Sequence, residues 1–128
     1  MNLNLTGIQF NYLSLSNVDL SNANLSNAPL YETNLLYCNL SNVNLSGANL
    51  IKINLTGTNL SNANLSNVNL RDSILIKTNL TNTNLSNANL TNINLSYADL
   101  TPIYLIPFYL VSISPKPYYL KQTYIVPN

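Results

Sequence analysis

Leucine recurs at every fifth position, through Leu20, Leu25, Leu30, Leu35, Leu40, Leu45, Leu50, Leu55, Leu60, Leu65 and Leu70, without a slip. Two residues before each leucine the side chain is mostly small or β-branched, as at Ala23, Ala28, Val43, Ala48, Ile53, Ala63 and Val68. The intervening positions are mostly Asn, Ser, Thr and Gly.

A period of five excludes the simplest elements. A helix turns about 100° per residue, so leucines at this spacing would scatter around its surface and form no apolar stripe. In a flat strand side chains alternate, so residues an odd number apart point to opposite faces. The pattern is satisfied when each unit is a short extended piece followed by a corner that swings the next leucine inward again. The chain then coils around its own leucines, in an all-β solenoid. Those leucines and the residue two before each one form the expected core. That second set runs Leu3, Ile8, Leu13, Val18, Ala23, Ala28, Thr33, Cys38, Val43, Ala48, Ile53 and Thr58.

Units such as Asn22-Ala23-Asn24-Leu25-Ser26 and Asn62-Ala63-Asn64-Leu65-Ser66 resemble the pentapeptide repeat proteins, whose pattern is alanine, Asp or Asn, leucine, then two polar residues. The resemblance covers residues 3–100. It implies a right-handed, quadrilateral parallel β-helix with four pentapeptides per coil. Asn replaces the commoner Asp almost throughout, with Asp19 and Asp99 as exceptions.

Four units per coil would stack residues twenty apart, and the irregular units do recur at that spacing. Asn11-Tyr12, Tyr31-Glu32, Ile51-Lys52 and Arg71-Asp72 fall in one phase, where Ser21-Asn22, Ser41-Asn42, Ser61-Asn62 and Thr81-Asn82 keep another. About five coils at a spacing of ~4.8 Å give a rod of roughly 24 Å. The expected organisation is a β-helix over 1–100 and an irregular, Pro/Tyr-rich tail over 101–128. That tail holds five of the six prolines, and its beat dissolves at Ser114-Pro115-Lys116-Pro117. Prolines withhold backbone donors, which suits a segment that stops a stack of strands, so the tail is expected to cap the coil end or cover one edge. At the other end Leu3 and Leu5 enter the pattern at once, leaving an uncovered first coil that suits a partner, a second copy or further repeats.

Charged residues make up only 7% of the chain, which carries a formal charge of +1. That charge is too small to steer the chain to nucleic acid or an anionic membrane. Cys38 is the single cysteine, so no internal disulfide forms and a reducing, cytoplasmic setting is expected. The first ten residues show no leader pattern, and the longest apolar run, 103–111, is too short to span a bilayer and contains Pro107.

Histidine is absent and acids number four, so no Ser-His-Asp or Cys-His nucleophile can assemble. No catalytic, cofactor-binding or metal site is expected. Cys38, inward and stacked between Val18 and Thr58, reads as inert packing. The Asn-Leu-Ser and Asn-Leu-Thr triplets match a glycosylation sequon only as by-products of the repeat. Glu32, Lys52 and Asp72 read as a solvated charge ladder. One edge stands apart, where Tyr12, Tyr31, Leu36, Tyr37, Ile51, Ile74, Ile76 and Tyr97 occupy outward positions. Clustered exposed aromatic and aliphatic side chains suggest a contact surface. The expected function is a non-catalytic scaffold or protein-interaction module, with homo-oligomers possible through coil ends or this edge. Some members of the resembled family imitate duplex DNA and bind DNA gyrase, but with strongly acidic rods that this chain lacks. Binding of an ordered polar surface, ice or carbohydrate, is a third class suggested by the flat Ser/Asn columns.

Overall fold

A computed structural model describes residues 2–101 of the 128. The Pro/Tyr-rich tail and its expected role as a cap lie outside those residues. Parallel bridges join residues twenty apart: Asn4 to Asn24, Asn24 to Asn44, Asn44 to Asn64 and Asn64 to Asn84 on one face, with equivalent columns on three others. Four pentapeptides therefore complete one level of a coil. Each face contributes only one bridged residue before the next corner, so bridges stay isolated rather than joining into long strands.

The main chain explains the register. The Leu25 N–H donates to the Asn44 carbonyl at 2.8 Å, and the Asn44 N–H donates back to the Ala23 carbonyl at 3.0 Å. Corners are joined the same way, as where the Asn22 N–H reaches the Ser41 carbonyl at 2.9 Å. Within each corner a tight turn closes, as where the Ala28 N–H donates to the Leu25 carbonyl at 3.0 Å. Its third residue, Asn27, has φ 57°. Positive φ at the third position alone is the type II signature, and Asn and Gly tolerate it best. The regular Asn or Gly just after each Ser or Thr therefore has a backbone cause.

The lumen is mainly apolar. Leu25 through Leu75 are buried at every fifth position, with Ala23, Ala28, Val43, Ile53 and their equivalents beside them. Where a hydroxyl takes the smaller inward position it reaches back to the level beneath: Thr58 donates to the Leu35 carbonyl at 2.6 Å and Ser73 to the Leu50 carbonyl at 2.7 Å. No buried side-chain polar atom among the described residues lacks a partner.

The first level departs from expectation. Leu3, Ile8, Leu13 and Val18 are 50%, 46%, 45% and 37% exposed, and Leu20, expected in the core, is only half-buried. The smaller inward side chains lean toward the level beneath, as the hydroxyl contacts show, and these four have no described level beneath them. Removing a fully buried leucine costs about 2–5 kcal/mol, whereas a half-exposed one has less burial to lose. Leu50→Ala is thus expected to lower the urea-unfolding free energy by about 2–5 kcal/mol and Leu20→Ala by less than half of that. Leu50→Asp should abolish the cooperative transition; equal effects at positions 20 and 50 would contradict the packing.

Candidate functional site

The second residue of each corner carries positive φ throughout the coil, and its identity sorts by corner. At one corner it is Asn22, Asn42, Asn62 and Asn82; at the next, Gly7, Asn27, Gly47, Asn67 and Asn87. The remaining two corners hold Tyr12, Glu32, Lys52, Asp72 and Asn92, and Asn17, Tyr37, Gly57, Lys77 and Tyr97. Every departure from Asn and Gly therefore falls on two neighbouring corners. A left-handed conformation costs an ordinary L-residue roughly 1–2 kcal/mol, so these corners retain strain that the other two avoid.

Between them runs the face of Ser14, Asn34, Asn54, Ile74 and Asn94. The side chains expected on a single edge in fact occupy both corners and this face. Tyr12, Tyr31 and Ile51 stand at the first corner, Leu36, Tyr37, Ile76 and Tyr97 at the second, and Ile74 between them. Tyr12, Tyr37, Tyr97 and Ile74 are 70%, 61%, 58% and 40% exposed. Tyr31, Leu36, Ile51 and Ile76, first residues of their corners, are half-buried.

Local contacts fix this surface. Tyr12 meets Tyr31 edge to face with ring centres 5.5 Å apart. The Tyr31 N–H is held by Asn11 Oδ1 at 2.8 Å. Lys52 Nζ lies 5.7 Å from the Tyr31 ring centre and 3.3 Å from Glu32 Oε1. The expected alternating ladder stops there: Asp72 turns instead to Arg71 Nε at 3.0 Å and to Asn92 Nδ2 at 3.0 Å. At the second corner the Tyr37 ring folds over Gly57, where a Cβ would collide with it. Lys77 has no ion pair among the described residues.

These contacts set the titration behaviour. A hydrogen bond from Tyr31, then one from Lys52, holds the Glu32 carboxyl below its usual range, and the Glu32 bond raises Lys52. The Asn92 amide, then Arg71, lowers Asp72. Cys38 lies in the lumen with Sγ 2.9 Å from the Leu15 carbonyl, and burial pushes its thiol up from 9.0.

The polar faces have a different character. Asn24 Oδ1 accepts the Ser26 N–H at 3.1 Å and Asn44 Nδ2 at 3.4 Å, and Asn44 Oδ1 repeats both contacts with Ser46 and Asn64. The amide thus supplies an acceptor to its own corner and a donor to its neighbour. Stacked carboxylates would accept equally well but repel one another level after level, which accounts for Asn where Asp is common. Ile74 breaks such a column on the candidate face. Among the described residues no cluster of three metal-ligating side chains forms, and no helix is long and apolar enough to cross a membrane.

The pentapeptide repeats profile matches in eight copies, over residues 1–35, 38–75 and 73–101. The chain belongs to the pentapeptide repeat family. Members form right-handed quadrilateral β-helices and are generally structural modules rather than enzymes. A pentapeptide repeat protein of the Arabidopsis thaliana thylakoid lumen is 27% identical, with a TM-score of 0.74 over 77% of this chain and 68% of that one. HetL, a pentapeptide repeat protein from the cyanobacterium Nostoc involved in heterocyst differentiation regulation, is 28% identical with a TM-score of 0.38 over 80% of this chain. The match spans 59% of HetL's length. QnrB1, a plasmid-mediated fluoroquinolone resistance protein, is 18% identical with a TM-score of 0.38, over 82% of this chain and 73% of that one. No curated protein matches the chain.

Lys77 and Gly57 were not singled out from the sequence. For Lys77 the signal was present: Asn or Gly occupies the second corner position in most units, so each exception marks a left-handed residue that costs more. Two expectations follow. Folding lowers the Glu32 pKa, so the Glu32–Lys52 pair supports the fold above the carboxyl's ordinary 4.5 and loses that effect as pH falls through the lower folded value. Glu32→Gln should therefore flatten the acid limb of a stability–pH curve; an unaltered limb would show the pair to be inert. Folding raises the Cys38 pKa, so the thiol favours the folded chain below 9.0 and opposes it increasingly as pH rises toward the folded value. A thiol reagent should modify Cys38 only on unfolding, and rapid labelling of the native chain at neutral pH would contradict its burial.

Proposed function

We propose that this chain, a rod of about five coils, is a non-catalytic interaction module that binds a protein partner through the face bounded by the Tyr12–Asn92 and Asn17–Tyr97 corners, in the cytoplasm. The observation that carries the reading is strain confined to one side. Asn would relieve the left-handed residues at Tyr12, Tyr37 and Lys77, as it does along the other two corners. Strained conformations persist where function selects the side chain. Exposed tyrosines bury a large area at low entropic cost, which suits a protein contact.

Two other readings fit less well. Imitation of duplex DNA needs a dense acidic surface, whereas Glu32 and Asp72 are neutralised by Lys52 and Arg71. Recognition of ice or carbohydrate by the flat Asn columns needs free amides, and these bond to their own corners and, in part, to one another.

The test exploits the opposition of stability and binding. Tyr37→Asn with Lys77→Asn should raise the unfolding free energy by about 1 kcal/mol per site, as left-handed strain is relieved. The same variant should lose a partner that the unaltered chain retains through co-purification from its native cytosol. A marked fall in stability with partner retention unchanged would make the face a purely structural element and defeat the proposal.

A further inference from the structure

The first residue of each corner carries an N–H that the backbone pairing leaves unused, and a side-chain oxygen meets it. On the candidate face Asn34 Oδ1 takes the Leu36 N–H at 3.2 Å, Asn54 Oδ1 that of Thr56 at 3.1 Å and Asn94 Oδ1 that of Ser96 at 3.0 Å. Other faces from Ser26 to Thr101 do the same. Even at Tyr31, where Pro29 replaces the usual Asn, Asn11 supplies the oxygen. Within that span Ile76 is the exception: Ile74 has no oxygen to offer, and no described group accepts the Ile76 N–H.

The same substitution strands a second donor. In the columns of Asn24 and Asn39 the amide one level above donates to the capping oxygen, from Asn44 Nδ2 at 3.4 Å and Asn59 Nδ2 at 3.5 Å. Asn94 stands one level above Ile74 with its Oδ1 engaged by Ser96, and Ile74 offers its Nδ2 no acceptor. Lys77, next to Ile76 in the chain, is exposed and takes no part in the described ion pairs. The acids of this side are already engaged, Glu32 with Lys52 and Asp72 with Arg71. Asp99, on the adjoining face, accepts from the Thr101 N–H and hydroxyl. The register thus gathers a backbone N–H, an amide and an ammonium about a place where the fold elsewhere keeps an oxygen.

We propose that this place takes the side-chain carboxylate of an acidic, otherwise aliphatic segment of a protein partner. One carboxylate oxygen stands in for the missing Asn oxygen, accepting from Ile76 and Asn94, and the other faces the Lys77 ammonium. Charge complementarity selects the occupant, because Lys77 is the described charge on this side that no neighbour balances. Hydrogen bonds to an ionised acceptor are stronger than neutral ones, so a carboxylate is favoured over a carboxamide. Ile74, 40% exposed, and Tyr97, one level above Lys77 and 58% exposed, border the place and suit aliphatic neighbours of the acid. The assignment names the partner chemistry of the proposed interaction face and rests on that reading.

The isotope-labelled full chain is titrated with acetyl-Leu-Asp-Leu-amide and with acetyl-Leu-Asn-Leu-amide while its amide NMR signals are followed. The Asp peptide should shift the Ile76 N–H and Asn94 Nδ2 signals and bind about fivefold or more tightly than the Asn peptide. Ile74→Asn, which restores the oxygen, should weaken the Asp peptide about fivefold or more, with circular dichroism melting showing that the coil still folds. Lys77→Gln should weaken it about two- to fivefold. Equal binding of the two peptides, shifts confined to other corners, or undiminished binding by a folded Ile74→Asn chain would overturn the assignment. Failure of the site is distinct from failure of the face: a partner lost on Tyr37→Asn with Lys77→Asn but kept on Ile74→Asn would remove the carboxylate site and leave the face.

Discussion

Everything in this molecule depends on each level meeting the next through the main chain at a fixed offset. The Leu N–H and the carbonyl of the Asn nineteen residues on, with the reciprocal bond from that Asn N–H, repeat on all four faces. Slipping this register by a single residue would put polar Asn in the lumen and leucine in water. Apolar burial and backbone pairing therefore specify the same alignment, and neither suffices alone. Burying one leucine contributes about 1.5–3 kcal/mol, while ordering each residue's backbone costs about 1–2 kcal/mol, so a single level of twenty residues cannot stand unsupported. Cooperation between neighbouring levels is what makes such a fold possible.

The same constraint divides the exterior into two kinds of surface. Where Asn stands before Leu, its side chain completes the corner and ties to the next level, as Asn24, Asn44 and Asn64 do. Such a surface is finished, with its amides used to hold the rod. Where Tyr, Lys or Glu takes the left-handed corner, local economy is given up. Tyr37 is accommodated by Gly57 in the level above it, and Tyr31 is braced by Tyr12 and Lys52. That side alone departs from the cheapest local solution among the described residues.

The first and last described levels show how little of a repeat protein's behaviour is set by the repeat itself. The unit sequence hardly changes along the rod, yet Leu20 and Leu95 are half-buried while Leu50 is sealed. Exposure here is a property of position in the stack. An inward Val18 is exposed although Val43, in the same place within its own unit, is buried.

The sequence by itself determined the period, the inward set and the twenty-residue stacking, because apolar residues in an unbroken beat can be buried together in few ways. Cys38 between Val18 and Thr58, and the grouping of Tyr12, Tyr31 and Ile51, were legible on that basis. What the beat could not convey was the backbone. Left-handed corners, two for each face, depend on φ, and only the folded chain shows that Tyr12, Glu32, Tyr37, Lys52 and Lys77 share the left-handed conformation of Asn22 and Gly47. Nor could the sequence separate one edge from two corners and the face between, or turn Asp72 from Lys52 to Arg71 and Asn92. Those outcomes depend on how side chains lie across neighbouring levels, a matter of three-dimensional adjacency rather than of spacing along the chain.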